Sequence, residues 1–210
     1  MRRIRRPRGE RGSIFVEMAI IAPFLLTLML GVFELGMMLR TDIAIANASR
    51  TGARVASSAG QATLSDYSML TALGGALRNV EGSTINYVTV YKITGSSKTP
   101  PANCTNGAAL SNHGNLTSQC NTYTAADVAN ILANPTTSQA SFGCSAGDID
   151  TMWCPATRVI EQASTNGPDY LGVAVSVTKP TYTRLFGSTK TYTDSFVMRL
   201  EPTGSLGSVS

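Results

Sequence analysis

Two carboxylates, four cysteines and one histidine are the residues of this 210-residue chain whose types and surroundings invite chemistry. Glu17 and Glu34 interrupt an otherwise apolar run, Ile14 to Leu39. A carboxylate set in hydrocarbon costs on the order of several kcal/mol, so each acid needs a reason to be there. Glu34 lies near the far end of the run and is expected to reach Arg40 or interfacial water. Glu17 follows Arg11 by six residues and has a weaker local excuse. Cys104, Cys120, Cys144 and Cys154 are spaced by 15, 23 and 9 intervening residues, without the close pairs of a zinc site. In an oxidising compartment an even count in loop-like sequence reads as disulfides. Sequential pairing, Cys104–Cys120 and Cys144–Cys154, is expected because nearer partners close first when loop entropy governs.

The remaining groups point away from catalysis. His113 stands in Ser-Asn-His-Gly-Asn, the context of a solvated turn, and no glycine-rich phosphate loop follows a strand. Asp148 and Asp150 read as turn caps, and Trp153 is expected to pack on the disulfide beside it. No catalytic residue, metal, cofactor or small-molecule substrate is expected, and the chain is read as a non-enzyme. Asn47, Asn103 and Asn115 begin glycosylation acceptor patterns, which matter only in a host with that machinery.

These groups have to be positioned, and charge and hydropathy say how. Arg2, Arg3, Arg5, Arg6, Arg8 and Arg11 are six of 17 basic residues, and Glu10 is the one acid among the first twelve positions. From residue 13 onward 11 basic and 12 acidic groups remain, a net of −1, so the formal +4 of the whole chain is a terminal cluster and carries no expectation of nucleic-acid binding. Arginines before an apolar run are retained on the cytoplasmic side. The 26 residues Ile14–Leu39, at about 1.5 Å each, exceed a hydrocarbon core of roughly 30 Å. A cell-membrane protein with a single span follows, its N-terminus cytoplasmic and the rest exported, periplasmic or extracellular. The run is too long for a signal peptide and continues without a loop-like break, with Pro23 expected to kink the helix slightly.

Arg11-Gly12 followed by Ser13-Ile14-Phe15-Val16-Glu17 has the spacing of a prepilin-type cleavage site. Cutting between Gly12 and Ser13 removes all six arginines and creates an α-amino group one helical turn from the Glu17 carboxylate, where opposite charges are neighbours. In low dielectric their attraction far exceeds its value in water, whether the amine belongs to the same subunit or the next. Residues 11–56 resemble the TadE-like pseudopilins, the minor pilins of tight-adherence pilus systems. The resemblance is carried by the Arg-Gly start with Glu17, Pro23 six residues later, Gly-Val-Phe-Glu-Leu-Gly at 31–36 and Ala-Ser-Arg-Thr-Gly-Ala-Arg at 48–54. Met18 stands where the family often has an aromatic residue. The resemblance implies processing by an aspartyl prepilin peptidase, other pilins or pseudopilins as partners, and a part in assembling a tight-adherence type IV pilus. The alternative is a membrane-anchored exported binding or adhesion protein whose helix is only an anchor.

The predicted organisation is a basic leader over 1–12, a transmembrane and extended helix over 13–58, and an exported α+β domain over 59–210. Ala44, Ala48 and Gly52 form one small-residue face, suited to close packing either on the chain's own domain or between subunits. A second helix is expected over Asp66–Val80, and strands over Ile85–Thr94, Leu171–Lys179 and Tyr192–Leu200. These would form an antiparallel sheet against the long helix. Residues 95–155 read as a long polar loop region held by the disulfides, with one short helix after the Thr124-x-x-Asp127 capping box.

Overall fold

The computed structural model describes residues 10–78, 80, 82–94, 97–114, 119–161 and 167–201. Arg2, Arg3, Arg5, Arg6 and Arg8 of the leader and the Asn115 acceptor lie outside the described residues.

Helix α1 spans Glu10–Ala59, 50 residues or about 75 Å at the usual rise. Its segment from Ile14 is, among the described residues, the one helix long and apolar enough to cross a membrane. Pro23 sits inside it without ending it, and the Thr27 hydroxyl donates to the Pro23 carbonyl one turn back. The helix stops where Gly60 adopts a positive φ. Helix α2, Ser65–Leu77, follows after a short turn. It tolerates both of its glycines: a Cβ on Gly74 would lie 3.0 Å from the Leu132 side chain, so the absent methyl is what lets α2 meet the helix carrying Leu132. That partner is α4, Ala125–Ala133, which begins at the expected capping box, Thr124 and Asp127 each bonding the other's backbone N–H.

Four strands, β1 (Thr84–Lys92), β2 (Cys120–Tyr123), β3 (Tyr170–Pro180) and β4 (Thr189–Arg199), form one antiparallel sheet in the order β2-β1-β3-β4. β3 is buried along nearly its whole length because both faces of the sheet are covered. One face packs Val88, Val90, Val173, Val175 and Val177 against α1 and α2 through Ile45, Ala48, Ala53, Met69, Leu70 and Leu73. On the other, a small core of Tyr91, Cys104, Cys120 and Ala174 seats the segment after β1. Tyr91 donates to the Lys98 carbonyl, and the Thr89 and Thr122 hydroxyls both reach the Cys104 carbonyl.

The fold is therefore α+β with two disulfides, and three of its strands fall within a few residues of the predicted ones. One expectation is corrected. The 95–155 stretch contains β2 and the short helix α3, Gly107–Ser111, besides α4. Cys-Asn-Thr-Tyr is too short to show alternation, and all four residues are buried, so its polar members look like loop. Asn121 and Thr122 are satisfied by partners far away in sequence.

Candidate functional site

Helix α1 divides sharply at Glu34. Before it, the side chains from Ile14 to Phe33 are nearly all exposed, Phe15 at 77% and Val32 at 71%. After it, Met38, Ile45, Ala48, Ala53 and Ala56 are buried in the core. The small-residue face lies in this second half: Ala48 and Gly52 are buried, and a Cβ on Gly52 would meet Leu73 at 3.0 Å and Val173 at 3.3 Å. That face is thus taken by the chain's own fold. The first half, about 30 Å long for 20 residues, presents an apolar surface with almost no partner inside the described molecule.

Glu17 is exposed within that surface, between Val16 and Met18. The Gly12–Ser13 peptide bond lies in the first turn of α1, where backbone N–H groups lack helical acceptors. The side chains at 10–13 are outside the described set.

Glu34 corrects the sequence expectation. It does not reach for Arg40 or water: it is 1% exposed, and its carboxylate is held by the hairpin between β3 and β4. The backbone N–H of Tyr182 donates to Oε1 at 3.0 Å, and Thr183 donates to Oε2 through its N–H at 2.7 Å and its hydroxyl at 2.8 Å. Three directed donors solvate the acid as water would. Phe33 and Tyr182 meet edge to face beside it, ring centres 6.2 Å apart. The partners lie 148 and 149 residues away in sequence, so no local signal announces them.

A second cluster of titratable groups is closed to solvent. Asp66 Oδ2 accepts from Asn121 Nδ2 at 2.8 Å, Tyr123 OH at 2.7 Å and Arg158 Nη2 at 2.8 Å. Asp66 and Arg158 are both fully buried. The Arg158 guanidinium lies 4.4 Å from the centre of the Trp153 ring, and Trp153 also bonds Asn121 through its backbone. Trp153 thus packs on an arginine, where the neighbouring disulfide was expected. Burial first, and the Asp66 charge second, push the Tyr123 phenol well above its ordinary value of 10.0. Sequence reading passed over Asp66, Asn121, Tyr123 and Arg158 because the fold alone brings them together. With no solvent access they fasten α2, β2 and the loop after Cys154, and can turn over nothing.

Cysteine pairing is sequential, Cys104–Cys120 and Cys144–Cys154, with no free thiol. The first bridge ties the turn at Ala102–Cys104 to β2, and the second closes a loop whose turn Asp150 caps by accepting from the N–H groups of Gly143 and Cys144, both at 3.0 Å. Burial raises the Asp150 carboxyl above its usual value even though these donors favour its charge. Asp148 caps the adjoining turn at Ser145. His113 sits in a turn with positive φ, its Nδ1 3.5 Å from the Asp127 carboxylate that also caps α4. Among the described residues no three His, Cys, Asp or Glu side chains come together as a metal site.

Residues 12–54 match the family model described as TadE-like protein. The match covers the exposed half of α1 and most of its packed half, and stops before α2. No curated protein and no solved structure matches the chain.

Proposed function

We propose that this chain, TadE-like over residues 12–54, is a minor pilin or pseudopilin that takes part in assembling a tight-adherence type IV pilus. The observation that carries the reading is the division of α1: one half docks on the chain's own sheet, and the other offers about 30 Å of apolar helix. Such a surface suits a bilayer before assembly and neighbouring pilin helices afterwards. The arginine leader stays cytoplasmic and the folded part is exported, which agrees with two disulfides. An aspartyl prepilin peptidase cuts between Gly12 and Ser13, and the new amine pairs with Glu17 of the same or a neighbouring subunit. Burying the apolar half in a filament then leaves no charge without a partner. The protein acts by assembly: its four cysteines are paired in disulfides, Glu34 is held by the hairpin and Asp66 by a closed network.

Intact-mass measurement of protein from cells carrying the peptidase tests this. The mature chain is expected to begin at Ser13. Gly12→Leu should retain the leader, whereas Glu17→Ala should still be cut and yet fail to enter pili. A native chain that keeps its arginines would favour the anchored binding protein instead.

A further inference from the structure

We propose that the tip of the β3–β4 hairpin is a second membrane-embedded element, with Leu185 and Phe186 entering the acyl chains of the leaflet nearest the folded part. The inference rests on α1 spanning a bilayer, and not on any role in a pilus. The loop joining β3 to β4 leaves the sheet and runs back along α1, away from the core. Leu185 and Phe186, 46% and 54% exposed, line an apolar groove with Phe24, Leu28, Val32 and Leu35 of the helix. If Ile14 marks one edge of a hydrocarbon core of roughly 30 Å, the other edge falls near Glu34. Leu28, midway among the helix residues that line the groove, is then about 9 Å inside that edge, which puts the groove shared with the two hairpin side chains largely on the hydrocarbon side of it.

Three further features favour lipid as the occupant. A backbone polar group left unsatisfied in hydrocarbon costs several kcal/mol, so internal partners lower the cost of bringing a loop to the membrane. Here the N–H groups of Tyr182 and Thr183 are spent on Glu34, that of Thr181 on the Ser188 carbonyl at 3.1 Å, and that of Leu185 on the Thr183 hydroxyl at 3.4 Å. The same contacts explain Glu34: the hairpin brings the acid its solvation at a level where water is scarce. Next, Arg40, Arg78 and Lys179 line one cleft with Tyr182, one to two helical turns beyond Glu34. An apolar tip followed by an aromatic and then by cations is the order of acyl chain, interface and phosphate in a leaflet. Finally, Arg184 at the tip limits the depth, since its long side chain must return its charge to the headgroups.

Depth-dependent quenching decides the matter. The full chain, disulfides intact, is reconstituted into phosphatidylglycerol and phosphatidylcholine vesicles with brominated acyl chains. Phe186→Trp, Phe24→Trp and Tyr170→Trp are compared after subtraction of the native signal from buried Trp153. Tyr170 is exposed at the far end of β3, about 33 Å from the hairpin at the strand rise. The added indole at 186 should be blue-shifted and lose about half or more of its emission, as at 24, while that at 170 stays unquenched. Leu185→Trp should repeat the result at 186. Quenching at 24 but not at 186 or 185 would overturn the proposal, as would protection of 186 that appears only when other pilus subunits are added, which would make a protein the occupant. Loss of quenching at 24 as well would mean that α1 itself is not in the bilayer, a separable failure.

Discussion

Replacing Asp66 by alanine removes the acceptor on which three buried donors converge. Arg158 is fully buried, and among the described residues its Nε and Nη1 have no hydrogen-bond partner, so its charge depends on Asp66, the Trp153 carbonyl and the Trp153 ring. Tyr123 would lose the acceptor of its hydroxyl, whereas Asn121 keeps the Trp153 carbonyl. Breaking a buried ion pair from one side costs about 3–5 kcal/mol, because it strands a desolvated charge. Measured against a typical stability of about 5–15 kcal/mol, that is enough to leave the folded part marginal. Urea unfolding of the detergent-solubilised, oxidised protein, followed by Trp153 fluorescence, should show the midpoint falling by about 2 M for an ordinary slope. Replacing the pair together, Asp66→Leu with Arg158→Met, should recover most of the loss, because an apolar pair of similar volume carries no desolvation cost. A single-variant loss below about 1 kcal/mol would refute the claim that this pair fastens α2 to the loop after Cys154, since that is the range of a solvated surface pair.

Three further outcomes can be measured. Removing the first bridge as Cys104→Ala with Cys120→Ala, a sequence separation of 16, should cost about 3 kcal/mol under the chain-entropy model, read from the same unfolding curves. Gly172→Ala should destabilise by about 1–3 kcal/mol and loosen the segment after β1 in hydrogen exchange, because the new Cβ would sit 2.3 Å from the Tyr91 ring and displace its bond to Lys98. Stability should also fall as pH rises above about 10. The folded Tyr123 holds its proton more tightly than the unfolded one, so its contribution is complete below the ordinary phenol value and lost above it, and Tyr123→Phe should flatten that limb.

Much of the architecture was legible because its signals are local. A 26-residue apolar run predicts a helix long and apolar enough to cross a membrane without reference to anything else in the chain. Thr124 and Asp127 determine where α4 begins, since a capping box is an exchange between residues three apart. β3 and β4 could be read from their β-branched and aromatic residues, and loop entropy was sufficient to choose the cysteine pairing. What tertiary structure decided are contacts whose partners are remote in sequence. Four residues of β2 become a strand only because β1 is there to pair with them. Asp66 finds its partners 55, 57 and 92 residues away, and its own helix gives no hint of them. The small-residue stripe suited two kinds of packing equally until Leu73 and Val173 filled it. Glu34 had two candidate local partners and took neither, because a hairpin 148 residues later delivers backbone N–H groups whose presence no side-chain pattern encodes.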